Sequence, residues 1–321
     1  MVRSRRLILL AALTAALLTF PATAAFPSAI PEGAIPLEGG GYALELKAPT
    51  PDWYTDELHE QVVAAGAEGV PIPDGVELPQ SGLAFTGIRP GAWMIFPSWC
   101  TMNFVFGGDS TSTTTTKVKG NAGGKKTSTS SGGSSGWYIG TAGHCTEVGD
   151  EVTLIAAPGV LMNIGKTVKS VDQGIGRDFA LIEIYPEMVQ YVNPSMTYFG
   201  GPNGVNNPAV GDPVLHAGHG VGVGTGGTPR AGLVTYVGKG DNTSQTAYGW
   251  DGAASPGDSG SAVRHADGRA EGNLTHLVDG GEYVPAIIAG TTAPYMEALA
   301  GKPICYAPVV PNPLPAPTCA P

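Results

Sequence analysis

The chain has 321 residues, 42% hydrophobic and only 14% charged, enough apolar material for one large domain or two small barrels sharing a core surface. Its 48 glycines and 28 prolines make it rich in turns and poor in long helical patterns, which favours an all-β fold. A formal net charge of -10 without a clustered basic patch argues against nucleic-acid binding, because phosphate neutralisation needs grouped Lys and Arg.

In chain order, Arg3, Arg5 and Arg6 precede an apolar stretch at 7–20, and Ala22-Thr23-Ala24 offers a small-residue cleavage site. The stretch is too short to span a bilayer comfortably. Residues 1–24 therefore read as a cleaved signal peptide, and the mature protein as secreted and extracellular, with no membrane contact after cleavage. Residues 25–88 are rich in Pro and Gly and contain one predicted helix, 56–65; they are a pro-segment or an N-terminal extension. Beyond them, short apolar or alternating runs predict strands at 92–96, 102–106, 137–141, 151–156, 179–184, 213–216, 231–237, 261–264, 273–277 and 283–289. Such runs between turn signals suggest an antiparallel barrel or sandwich. Residues 107–136, almost all Gly, Ser, Thr, Lys and Asp, read as a long solvated hairpin loop. Helix formers behind Pro294 predict a short helix over 294–300, and residues 303–321 form a Pro-rich extended tail.

Export gives the four cysteines meaning. Three pairings are possible; the economical one is Cys100–Cys145 with Cys305–Cys319. The first would close a loop of about 44 residues, worth roughly 4 kcal/mol on the chain-entropy model. No C-x-x-C pair is present, so a zinc site is not indicated.

Three strings carry chemistry. In Gly257-Asp258-Ser259-Gly260-Ser261, glycines flank a serine whose weak hydroxyl needs a base. They let the backbone turn sharply and turn the N–H groups of Gly257 and Ser259 toward an oxyanion. Thr141-Ala142-Gly143-His144-Cys145 ends a predicted strand with a histidine beside a cysteine, suiting His144 as general base. Asp178-Phe179-Ala180-Leu181-Ile182 heads an apolar strand with a carboxylate that would hold the histidine tautomer. Asp172 is the nearest competitor, but it lacks an apolar strand directly after it.

TAGHC, DFALI and GDSGS in that order resemble the trypsin/chymotrypsin-like serine proteases, especially their compact bacterial branch. The resemblance covers residues 89–302. It implies two six-stranded antiparallel β-barrels with a short C-terminal helix, and a triad of His144, Asp178 and Ser259 in the cleft between them. It implies a Cys100–Cys145 disulfide pinning the histidine loop, and hydrolysis of peptide bonds in a peptide or protein substrate through an acyl-enzyme. Ala253, Ala254, Pro256, Thr275 and Gly290 would then line a neutral, apolar pocket. Ala253 stands where trypsins carry an aspartate; Asp251 nearby keeps a basic preference as a minor alternative. Thr275 would take the place of a serine bonded to the catalytic carboxylate. The chain departs from the animal enzymes in lacking an Ile-Val-Gly-Gly start, so an internal arginine such as Arg230 is expected to neutralise Asp258. Ser255 replaces a pocket cysteine.

Other signals carry less. Gly222, Gly224 and Gly227 match a dinucleotide fingerprint but no helix pattern follows, and His59-Glu60 fails as a zinc motif because Val63 holds the second histidine position. His216 and His219 lack a third ligand and read as loop residues, so no metal or cofactor is expected, and a monomer is. An α/β-hydrolase is disfavoured by its reversed triad order. The remaining alternative is a catalytically silent, protease-like binding or adhesion module.

Overall fold

The computed structural model describes residues 31–37, 40–76, 87–107, 135–220, 227–238, 246–280 and 286–309. The predicted signal peptide, the body of the 107–136 loop, Gly222 and Gly224, Cys319 and the tail beyond residue 309 lie outside them.

Two antiparallel sheets dominate. The first orders strands Cys100–Thr101, Trp93–Phe96, Glu151–Ala157, Val160–Asp172, Asp178–Ile184, Trp137–Thr141 and Val105–Gly107. Its two edge strands belong to one bent stretch, 100–107. Met102 N–H bonds Ala92 O at 2.9 Å and Asn103 N–H bonds Gly140 O at 2.7 Å, so the stretch closes the sheet on itself. The second sheet runs His276–Asp279, Ile287–Thr291, Ala247–Asp251, Pro229–Gly238, Pro213–Ala217, Ala262–His265 and Ala270–Asn273. It closes in the same way through 270–279, where Leu274 N–H bonds Ser261 O and Thr275 N–H bonds Ala289 O, both at 2.9 Å. With each bent stretch taken as one strand, each barrel has six, as expected. Closure removes the exposed edges an open sheet would carry.

Met94, Val105, Ile139, Leu154, Ile164 and Ile182 fill the first barrel. Val214, Val234, Trp250, Val263, Leu274 and Ile288 fill the second. A third cluster joins Phe104, Phe106, Phe179 and Leu181 of the first barrel to Ala262 and Ala270 of the second, with Met296 of the helix Ala293–Ala300. The cleft between the barrels is held by this apolar seam.

Several strands depart from the sequence pattern; the run predicted at 273–277 becomes two, Ala270–Asn273 and His276–Asp279, joined through Leu274 and Thr275. Val160–Asp172 alternates buried residues with exposed Lys166 and Val168 and contains Asn163 and Gly165, so it reads as turn and loop. Ala247–Asp251 is short and interrupted by Gly249. The run predicted at 283–289 becomes Ile287–Thr291, with 281–285 outside the described residues.

The described residues before 77 reach both sheets. Ile35–Pro36 and Tyr42–Glu45 extend the second sheet by pairing outward from His276–Asp279, while Val70–Pro71 pairs with Val160 and Leu161 of the first. The helix Asp56–Ala65 forms where predicted. The Thr55 hydroxyl caps it by accepting from Leu58 N–H at 3.3 Å, and Asp56 and Glu57 complement the helix dipole. Tyr54 and Val62 are buried with Trp93, Ile95, Ile155 and Leu161, so this part covers the first barrel.

Glu271, on the strand Ala270–Asn273, is fully buried, with Asn206 Nδ2 donating to Oε2 at 2.8 Å. Burial raises its carboxyl from 4.5 to about 7. The folded chain therefore holds a proton that the unfolded chain releases, and stability falls as pH rises from about 4.5 to 7, by up to about 3 kcal/mol. Glu271→Gln should flatten that part of the profile in urea unfolding measured across pH.

Candidate active site

The strand Trp137–Thr141 delivers His144 in the tight turn Gly143–Cys145, and the disulfide from Cys145 ties that turn to Cys100 with Cα atoms 6.3 Å apart. Asp178 opens the strand Asp178–Ile184. Ser259 lies in the loop before Ala262–His265. The three meet from residues 144, 178 and 259: His144 Nδ1 is 2.6 Å from Asp178 Oδ2, and His144 Nε2 is 2.7 Å from Ser259 Oγ. Asp172, the rejected competitor, is exposed at the end of Val160–Asp172.

All three side chains are buried. Burial alone would disfavour the imidazolium, but the Asp178 charge and hydrogen bond outweigh it, and His144 is held above the ordinary histidine value. Burial likewise opposes the Asp178 carboxylate, yet the facing His144 keeps it below the usual carboxylate range. Gly143 N–H and His144 N–H both donate to Asp178 Oδ1. The second barrel grips the same residue by its backbone. Thr291 Oγ1 donates to Asp178 O at 3.1 Å, and Asn273 Nδ2 donates to it at 3.0 Å.

Ser259 N–H and Gly257 N–H converge on one oxygen, the carbonyl of Leu46, at 3.1 and 2.6 Å. Gly257 has φ +101°, a conformation that turns its N–H inward and that L side chains rarely adopt. Gly260, at φ +89°, is packed so closely that a Cβ would stand 2.1 Å from Thr101 O. Thr101 of the first barrel also donates its N–H to Ser259 O at 2.7 Å and its hydroxyl to Gly257 O at 2.9 Å.

Thr275 departs from expectation. Its hydroxyl bonds Ala289 O at 3.2 Å and His276 Nδ1 at 2.8 Å, and the neighbour of Asp178 Oδ2 is instead His276 Nδ1, at 3.7 Å. The backbone explains this: Thr275 turns its carbonyl to the site, where it accepts Ser259 Oγ at 3.0 Å. His276 is buried edge-on to His144, with centroids 5.7 Å apart, and burial lowers its pKa. His276, Asn273 and Thr291 thus belong to the site; Asn273 and His276 lie in the run 272–277 that the family resemblance offers as the pocket-lining, substrate-pairing strand, whereas Thr291 carries no signal in the sequence.

Of the expected pocket residues, Ala254 is half-buried and packs against the cluster that contains Leu46; Ala253 and Pro256 are exposed. Gly290 is buried in Ile287–Thr291, where a Cβ would stand 1.7 Å from Asn273 O. Asp251 accepts Leu233 N–H at 2.7 Å. Cys305 is disulfide-bonded, while its expected partner Cys319 lies outside the described residues. His216 sits within the strand Pro213–Ala217 rather than in a loop, edge-on to Trp250, and burial holds it well below its ordinary value. His219 is stacked on Trp93 and held down to about 3. Among the described residues, one trio has metal-ligand spacing, Cys100, His144 and Cys145, and both its sulfurs are committed to the disulfide.

Arg230 neutralises Asp258. Its guanidinium forms a two-pronged pair, Nη1 to Oδ2 at 2.5 Å and Nη2 to Oδ1 at 2.7 Å, with the carboxylate fully buried. Gly220 N–H and Ser255 N–H satisfy the remaining lone pairs. Arg230→Ala would strand a buried charge beside the Ser259 loop and should cost about 3–5 kcal/mol in urea unfolding. Arg230→Lys, which cannot form the fork, should recover only part of that loss.

No family model matches the chain, and no curated protein matches it. Among solved structures it is similar to Thermobifida fusca Protease A, with 16% identity over 68% of this chain and 97% of that one and a TM-score of 0.41. It is also similar to Cellulomonas bogoriensis chymotrypsin, with 19% identity over 68% and 97% and a TM-score of 0.40. A third is described as a glutamic acid specific serine protease that uses a histidine triad in substrate binding, with 17% identity over 68% and 100% and a TM-score of 0.44.

Proposed function

We propose that the chain is an exported serine endopeptidase in which Ser259 is the nucleophile, His144 the general base and Asp178 its orienting carboxylate. The observation that carries this reading is the unbroken line from Asp178 Oδ2 through His144 to Ser259 Oγ, with two N–H donors beside it that already hold a carbonyl oxygen.

His144 Nε2 takes the proton as Ser259 Oγ attacks a substrate carbonyl carbon, and Asp178 stabilises the imidazolium that forms. Gly257 and Ser259 N–H groups hold the oxyanion, a contribution of about 10²–10³ in rate for a single donor. His144 then protonates the leaving amine. Water resolves the acyl-enzyme by the same route in reverse. Neighbouring charge does not recommend a basic or acidic substrate side chain: Asp258 is matched by Arg230, and Asp251 is engaged by Leu233. An apolar side chain before the scissile bond suits this setting, with Ala253, Ala254, Pro256, Thr275 and Gly290 as the proposed surroundings. The boundaries 25–88, 89–302 and 303–321 remain part of the proposal, as do secretion and a monomeric state.

Ser259→Ala or His144→Ala should lower peptide hydrolysis by about 10⁶ and abolish fluorophosphonate labelling, with folding intact by circular dichroism. The base must be neutral, and Asp178 raises its pKa. kcat/KM should therefore climb with pH through a midpoint above the ordinary imidazole value of about 6.5. A flat profile between pH 5 and 8 would contradict the assignment of His144. Asp178→Asn should both move the midpoint down and lower the plateau.

A further inference from the structure

The cleft between the barrels is occupied by the chain itself. Tyr42–Glu45 pairs antiparallel with His276–Asp279, in the register Tyr42 with Asp279, Ala43 with Val278, Leu44 with Leu277 and Glu45 with His276. The pairing continues into the site, where Leu46 N–H donates to Thr275 O at 3.0 Å. The Leu46 carbonyl then receives both N–H donors, Gly257 and Ser259. Beyond it, Ala48 exchanges two backbone hydrogen bonds with Trp99 of the first barrel, at 3.0 and 2.9 Å. Lys47 between them donates Nζ to His144 O at 3.0 Å and lies 3.2 Å from Glu45. One extended stretch thus crosses both barrels, and the peptide bond from Leu46 to Lys47 is the one presented to Ser259.

We infer that Leu46–Lys47 is a self-processing bond, cut by the chain's own Ser259, and that residues up to Leu46 block the cleft until they are cut free and released. The inference rests on the peptidase reading of the same site. Ser259 Oγ adds to the Leu46 carbonyl carbon while its proton passes to His144 Nε2. The C–N bond to Lys47 breaks, and the amine leaves with that proton, which leaves Leu46 esterified to Ser259. Water adds to the ester carbon and gives a proton to His144. The Ser259 oxygen leaves and recovers that proton, and Leu46 departs as a free carboxylate.

The two sides of this bond have different fates. Residues 47–76 belong to the first barrel: Thr50 Oγ1 donates to Pro97 O at 2.7 Å, and Tyr54 and Val62 are buried beneath the helix Asp56–Ala65. Residues on the other side are held by the strand Tyr42–Glu45 and by the buried side chains of Ala43 and Leu46. Processing therefore falls inside the region 25–88, not at its end, and a mature chain starting at Lys47 keeps its helix. The occupant also reports the preference of the emptied cleft. A leucine-sized apolar side chain is accepted just before the bond, a small one four residues before it, and a lysine just after it.

The test follows the exported full-length chain by intact mass and N-terminal sequencing, beside Ser259→Ala, Leu46→Met and Leu46→Asp. The expected result is a new N-terminus at Lys47 in the parent, appearing at a rate independent of protein concentration, as a bond already seated in its own site requires. Ser259→Ala should stay joined. Leu46→Met should process at close to the parent rate, and Leu46→Asp at least ~10-fold more slowly, because the carboxylate must enter an apolar site. Processed enzyme should cut a synthetic peptide of residues 42–49 between its leucine and lysine. A protein that labels with fluorophosphonate and cuts other peptides while Leu46 and Lys47 remain joined would overturn the inference but leave the peptidase reading intact. So would parent enzyme that cuts added Ser259→Ala chain as fast as its own. A folded chain that neither labels nor cuts any peptide would sink both.

Discussion

The burial of one carboxylate organises the centre of this molecule. Asp178 has no solvent to share its charge, so every acceptor site must be filled by protein. Oδ1 takes two backbone N–H groups from the Gly143–Cys145 turn, and Oδ2 takes the ring of His144. The backbone of the same residue is gripped by Thr291 and Asn273 from the other barrel. Meeting this demand fixes the tautomer and direction of His144, and it also sets the spacing of the two barrels. The alignment of Asp178, His144 and Ser259 and the docking of the barrels are therefore one requirement, not two.

A second buried charge plays the corresponding part beneath Ser259. Asp258 precedes Ser259, and the Arg230 fork with two backbone N–H groups holds it. The loop is thereby pinned from inside the second barrel, while Thr101 pins it from the first. If the Gly257 and Ser259 N–H groups serve as proposed, donors held this firmly need little reorganisation when charge develops. The countercharge to Asp258 comes from within the folded chain, from Arg230. The charge balance of the nucleophile loop is therefore already present before any bond is cut.

The legibility of the sequence follows the locality of the constraint. Ser259, His144 and Asp178 were readable because each sits in a short string whose small or apolar neighbours serve that residue's own backbone. Arg230 was readable as a need, since an aspartate beside a serine nucleophile must be neutralised. The helix 56–65 was readable as the one helical run in a Pro- and Gly-rich stretch, and it forms at those residues. Val160–Asp172 was not readable, because it buries the polar Asn163 and Thr167 as well as Gly165 within the run and places exposed Lys166 and Val168 among them. His276 was hidden because its role depends on Thr275 turning a carbonyl, not a hydroxyl, toward the site. Least legible was the seat of Leu46. Nothing in the string Leu44-Glu45-Leu46-Lys47 says that it will lie between two barrels whose first strand starts more than forty residues later.

The Ala48–Trp99 bridge has a consequence for the direction of the reaction in the cleft. A substrate arriving from solution loses its leaving amine by diffusion. The amine of Lys47 cannot diffuse, because Ala48 is bonded to Trp99 and the helix behind it is packed on the first barrel. Its local concentration on so short a tether is of the order of millimolar or higher, so it competes with water for the ester on Ser259. Cutting and rejoining can then alternate at the same bond. What makes the event irreversible is the peeling of the four-residue strand Tyr42–Glu45 from its neighbour, a mechanical step governed by sheet-edge hydrogen bonds and not by bond chemistry.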